Sequence, residues 1–239
     1  MPAWCANTLS ANGKSNKSQL QLKGFVEKSV SENGAFSLSP TYPIPSSELY
    51  IQPGSMMNNG LAIIIYRSGN QEMLKQYLNY EWVINAKLKS LSEIEEYLIK
   101  SKSADLDLGL KAFNNLNKYG ATDCYDWCEK NWGCKYDIDI SDVILNEPNK
   151  FQVGFFTPWN PPLGWLTKIS KNYPSIAFKY EWEIAGVEYG KMSLFNGKIK
   201  SQTLKKLAYY KNKNVEKQLQ KLIVNMGLNY NQNVVKNEK

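Results

Sequence analysis

The chain has no histidine among its 239 residues. That removes the commonest general base near neutral pH and the commonest metal ligand, and it excludes Ser-His-Asp and Cys-His mechanisms. Cysteine is scarce: four residues, without the spacing of a secreted disulfide scaffold. Reduced thiols and a cytoplasmic location are therefore expected. No apolar run approaches the length of a membrane span; the longest, 61–66, is strand-sized. The first ten residues lack the basic start and apolar core of a signal peptide. Nucleotide-binding glycine motifs are missing too: Asn12-Gly13-Lys14-Ser15 matches only the end of a phosphate loop and lacks its leading glycine.

What the chain does have is aromatic residues, 13% of the total, including seven Trp. Four of these and three of the four Cys fall in 119–165, around which the main domain is expected to form. Within it, 121–131 reads as a short helix. Residues 132–140 alternate as Trp132, Cys134, Tyr136, Ile138, Ile140, the period of a strand. Residues 151–157 read as a second strand, stopped by Pro158, and Asn160-Pro161-Pro162 starts a helix over 163–172. The two strands are expected to pair as a hairpin.

Elsewhere, 1–12 reads as a strand. Residues 19–30 form a helix with Ser18 as a candidate N-cap. Residues 50–60 look like a loop, and 61–66 fits either a strand or a buried helix. Helical patterning over 71–80, 91–100 and 107–118 makes about 60–118 a helical insertion. Strands follow at 175–186 and 187–195, the latter turned back at Asn196-Gly197. A long helix over 203–226 and a polar tail complete the chain. The net charge of +7 is uneven: residues 198–239 carry +8 and the remaining 197 residues −1. This order predicts an α+β protein with helices on one face of an antiparallel sheet.

Four segments, MPAWCANTL, YDWCEKNWGCKYD, FFTPWNPPLGWL and EYGKMSLFNGK, occur here in the order found in a known family. Over residues 1–197 the chain resembles proteins with the ferredoxin-like domain named after the plasmid protein YubB, a family that includes phage proteins. The resemblance implies a ferredoxin-like βαββαβ sandwich, here with a helical insertion at about 60–118; the basic C-terminal helix and polar tail over 198–239 lie outside it. It also implies an accessory protein of a mobile genetic element. It supplies no catalytic residue. Cys124, Cys134, Tyr136 and Asn160 stand where the family usually has an aromatic, Thr, Trp and Ser.

Candidate site residues follow from exposure and charge. Trp159, held in a proline-flanked loop at a strand end, is the aromatic most suited to stacking on a base or sugar, whereas Trp127, Trp132 and Trp165 suit packing. Lys135, Asp137 and Asp139, with Glu181 and Glu183 on a later strand, are expected on one sheet face. There they form either a carboxylate site or a solvated surface with weak ion pairs. Lys213, Lys217 and Lys221 lie four apart on the basic helix, which suits nucleic acid, an anionic membrane or a protein groove. Cys5, Cys124, Cys128 and Cys134 contain only one close pair, so neither a metal nor another cofactor is expected. The composition argues against an enzyme and for a binding protein whose partner is a host or mobile-element protein. Nucleic acid bound through the basic helix is the alternative, and an enzyme built on the sheet-face carboxylates a third.

Overall fold

The computed structural model describes residues 4–138, 140–184 and 186–206. Its elements run β1 (Trp4–Asn12), α1 (Asn16–Ser29), α2 (Ser55–Arg67), α3 (Glu72–Lys75), α4 (Glu81–Asn85), α5 (Leu91–Lys100), α6 (Leu106–Tyr119) and α7 (Cys124–Asn131). They continue with β2 (Ser141–Glu147), β3 (Lys150–Pro158), α8 (Leu163–Asn172), β4 (Ala177–Ile184), β5 (Glu188–Phe195) and β6 (Lys198–Lys206). The chain divides into two units, Met1–Pro43 with Cys128–Lys239, and Ile44–Trp127.

In the first unit all strand pairs are antiparallel and the order is β2-β3-β1-β4-β5-β6. The first four strands, with α1 and α8, form a βαββαβ ferredoxin-like sandwich; β5 and β6 widen the sheet beyond β4. One face of the sheet is apolar at alternate positions except at Asn7 and Thr157. Cys5, Leu9 and Ala11 of β1, Phe151, Val153 and Phe155 of β3, and Phe178 and Tyr180 of β4 are all buried. Phe25 of α1 is driven into this face. Its ring meets Phe151 at 6.0 Å and Phe178 at 5.7 Å, both nearly edge-on, with Tyr173 at 5.4 Å and Trp165 of α8 at 6.5 Å. Both helices therefore cover the same face, and edge-on ring contacts add to the area they bury.

Helix α1 begins earlier than its sequence suggests. Ser15 is the N-cap, and Ser15 and Ser18 form a reciprocal capping box. The expected strand over 132–140 does not form. Asp137 takes the N–H of Leu38 at 2.7 Å, of Ser39 at 3.0 Å and of Ile138 at 2.8 Å, and the Ser37 hydroxyl at 2.7 Å. Trp132 donates its indole N–H to the Tyr42 carbonyl at 2.9 Å. These bonds tie the segment to the loop over 37–42 instead of to a ladder. Strand β2 is the half-exposed stretch that follows it, and the hairpin is β2–β3. Helix 203–226 does not start at 203 either: Lys198–Lys206 is β6, paired with β5. Asn196 and Gly197 both have positive φ, 51° and 68°, which closes a tight hairpin and sends the chain back along β5. The rest of that expected helix lies outside the described residues.

The second unit is helical. Residues 55–60, read from the sequence as loop, open α2, which continues through 61–66, so the buried-helix alternative is the correct one there. Helices α2 and α6 cross where Gly60 faces Gly109; a methyl group added at Gly109 would stand 2.2 Å from the Gly60 carbonyl carbon. The apolar side chains of Ala62, Ile63, Leu74, Tyr77, Val83, Ile94 and Leu98 form one cluster of this unit.

Because five aromatic rings of the first unit converge on or near Phe25, Phe25→Ala is expected to lower its unfolding free energy by about 3–5 kcal/mol, measured by denaturant titration of the full chain.

Candidate functional site

Trp159 follows the last residue of β3. Its φ is 66°, a conformation that a bulky side chain rarely accepts. The Asn160 N–H donates to the Pro158 carbonyl at 2.8 Å, closing a strained three-residue turn around the Trp. What holds this turn is a chain of buried hydrogen bonds. The Tyr180 hydroxyl donates to Asn7 Oδ1 at 2.6 Å. Asn7 Nδ2 donates to Thr157 Oγ1 at 2.9 Å, and Thr157 Oγ1 donates to the Asn160 carbonyl at 2.9 Å. Asn7, Thr157 and Tyr180 are fully buried. The indole of Trp159, by contrast, is 45% exposed.

The registers place the neighbours of this turn. Trp4 pairs with Pro158, and Ala6 with both Phe156 and Glu183. Glu183 pairs with Tyr189, and Tyr189 with Lys205. On the face opposite the helices one row therefore runs Phe156, Ala6, Glu183, Tyr189, Lys205 across five strands. The next row is Gly154, Thr8, Glu181, Lys191, Thr203. Trp4 and Phe156 are half-buried here. Neither was among the site candidates read from the sequence. Their signal was the alternation of β1 and β3, which puts Trp4 and Phe156 out of phase with the buried set.

Glu181 and Glu183 do share this face, in unlike surroundings. Glu181 Oε2 is 3.1 Å from Lys191 Nζ and accepts the Tyr189 hydroxyl at 3.2 Å. Glu183 is 1% exposed, not solvated, and neither of its carboxylate oxygens has a hydrogen-bond partner. Burial alone pushes its pKa up to about 7. The Tyr189 hydroxyl is raised first by burial, and Lys191 by its hydrogen bonds to Tyr189 and Glu181.

The remaining candidates are placed elsewhere or lie beyond description. Lys135 is exposed but sits on irregular backbone, not on the sheet, and Asp137 is a structural clamp. Asp139, Lys213, Lys217 and Lys221 lie outside the described residues. The four cysteines are free thiols. Burial raises the pKa of Cys5, Cys124 and Cys134, which makes them poor nucleophiles and poor metal ligands. Among the described residues no three His, Cys, Asp or Glu side chains converge as a metal site, and no helix is long and apolar enough to cross a membrane.

The family comparison agrees with the fold. Residues 135–221 match the sequence model of the ferredoxin-like domain in Api92-like proteins. A crystal structure of the protein Api92 from Yersinia pseudotuberculosis is 11% identical to this chain, covering 88% of it and 100% of its own chain, with a TM-score of 0.38. No curated protein matches the sequence.

Glu183 makes stability depend on pH. Its folded pKa, about 7, lies above the ordinary value of 4.5, so the folded state holds the proton more tightly. Stability from this source is full below pH 4.5 and is lost as pH rises through 7. The loss is expected to reach about 3 kcal/mol. Unfolding curves of Glu183→Gln should lack that decline, and a variant as pH-sensitive as the wild type over this window would contradict the assignment.

Proposed function

We propose that the protein is a non-enzymatic binding protein of a mobile genetic element, and that it holds single-stranded nucleic acid across the second face of its sheet. The observation that carries this reading is Trp159: an exposed indole kept in a strained turn by a buried hydrogen-bond chain. Such strain is costly, of order 1–3 kcal/mol, and clusters where a side chain has a task. Trp159 stands one residue past Pro158, the register partner of Trp4, and Phe156 stands two residues before Pro158, so three aromatics belong to one end of the β1–β3 pair. Lys205 lies at the other end of the row that starts at Phe156. The row crosses four strand intervals, roughly 19 Å, the reach over which a sheet of this kind holds two or three unstacked bases. Stacking would supply affinity without sequence preference, and Lys205 would meet a phosphate.

The carboxylate-enzyme reading has less in its favour. Glu181 is held by Lys191 and Tyr189, and Glu183 is buried beyond the reach of a substrate. A neutral Glu183 under the ligand does fit a polyanion. Nucleic acid over this carboxyl would raise its proton affinity, so binding should strengthen as pH falls through 7. The mobile-element setting rests on the resemblance of four segments to the YubB-type family.

The test is a fluorescence-anisotropy titration of a labelled oligothymidine with the full chain. Binding is expected to fall steeply with salt. Trp159→Ala should weaken it by about tenfold or more, the value of one stacked base, and Phe156→Ala likewise. Undiminished binding by both variants would move the site off this face. No binding at low salt would favour a protein partner.

A further inference from the structure

The sheet has two edges, and they differ in kind. Strand β6 carries Lys198, Lys200, Lys205 and Lys206, all exposed. Lysine on an edge strand blocks pairing with another chain, because its charge cannot be buried in a continued sheet. Strand β2, the opposite edge, has the sequence SDVILNE: three consecutive apolar residues and no basic one. Ile140, just before it, is 65% exposed and Ile144 39%. Neither edge has a further strand beside it among the described residues; β6 is guarded along its length by lysine, whereas β2 has two acidic residues and a register shift between Val143 and Leu145.

Next to β2 lies a groove of about 650 Å³ between α1 and the β2–β3 turn. Its helix wall includes Leu20, Lys23, Val26 and Glu27, and its other wall Asn146, Glu147 and Pro148. Leu20 is 74% exposed, an apolar side chain on the outer stripe of α1 that the core does not use. An extended segment laid along β2 would continue the ladder through its main chain. Its alternate side chains would drop beside α1, and the others would turn to the second face. Main-chain bonds then give affinity and the groove gives selectivity.

Charge indicates which segment fits. The exposed charges of β2 are Asp142 and Glu147. In the surroundings, Glu27 has Lys23 at 3.7 Å, and Lys150 stands opposite Glu147 in the hairpin. Asp142 pairs with Gly154, which offers it no charge. We propose that β2 and the α1 groove form a docking site for an extended peptide of a partner protein, one that alternates apolar residues with at least one Lys or Arg placed to meet Asp142. This inference is independent of the nucleic-acid reading: it uses a different edge of the sheet and none of the same side chains.

The test uses the full chain and an acetylated, amidated nonapeptide alternating valine and lysine. Titration calorimetry should detect binding, and hydrogen exchange should slow at the amides of β2 and not at those of β6. Ile144→Lys, which copies the protection of β6 onto β2, should weaken binding by about tenfold or more while leaving the melting temperature near that of the wild type. Leu20→Glu, on the helix wall, gives a second variant if the first unfolds. Proline at the centre of the peptide, or glutamate for its lysines, should remove binding. Failure of the valine–lysine peptide to bind at millimolar concentration overturns the proposal, as does equal binding by both variants. A concentration-dependent dimer of the chain alone that Ile144→Lys dissociates would also overturn it, by assigning the edge to a second copy.

Discussion

One buried amide connects the three central strands. Asn7 lies in the middle of β1 with no exposed surface. Its Nδ2 donates to the carbonyls of Cys5 and Phe155 and to Thr157 Oγ1, and its Oδ1 accepts the Tyr180 hydroxyl. An amide left without partners here would cost several kcal/mol; fully satisfied, it specifies one register. A slip of one residue on either side of β1 would leave the amide unmatched and carry Leu9 and Ala11 to the wrong face. The aromatic cluster around Phe25, the row from Phe156 to Lys205 and the turn at Trp159 all inherit their positions from that register.

The sequence was most legible where local pattern and tertiary role agree. Helix α8 starts at its prolines, and 163–172 has the same limits in the structure. Helix α5 likewise coincides with 91–100, because a capping box of Ser90 and Glu93 marks its start. Strand β3 alternates cleanly and was read to within a residue at each end. The antiparallel, helix-covered sheet followed from the order of such elements.

Errors arose where a side chain outcompeted a pattern. Residues 132–140 alternate, yet Asp137 collects backbone N–H groups that a strand would have used. Strand β2 went unread because its exposed edge leaves it little alternation. Strand β6 went unread because lysine and serine occupy most of its length, although the Asn196-Gly197 turn was visible and calls for a returning strand. The exposure of Trp159 was legible from its prolines. Glu183 was placed on the right face, but neither reading offered for it, a carboxylate site or a solvated surface, anticipated its burial, since alternation gives the face of a residue but not its depth. No periodicity reports that a carboxyl at a given register position will lack a partner.

The central position of β1 has a consequence for how the chain comes together. Asn7 and Phe155 are bonded across 148 residues of sequence, and Tyr180 is more distant still. Contacts of such separation slow folding, since the chain between them must be closed into a loop first. During synthesis at roughly 5–20 residues per second, β1 leaves the ribosome about 7–30 seconds before β3 can join it. Until then its buried residues Leu9 and Ala11 and its aromatic Trp4 are without their sheet neighbours. The inserted helices at 44–127 emerge in that interval and carry local contacts of their own, so the last-made half of the sheet determines when the first-made strand becomes native.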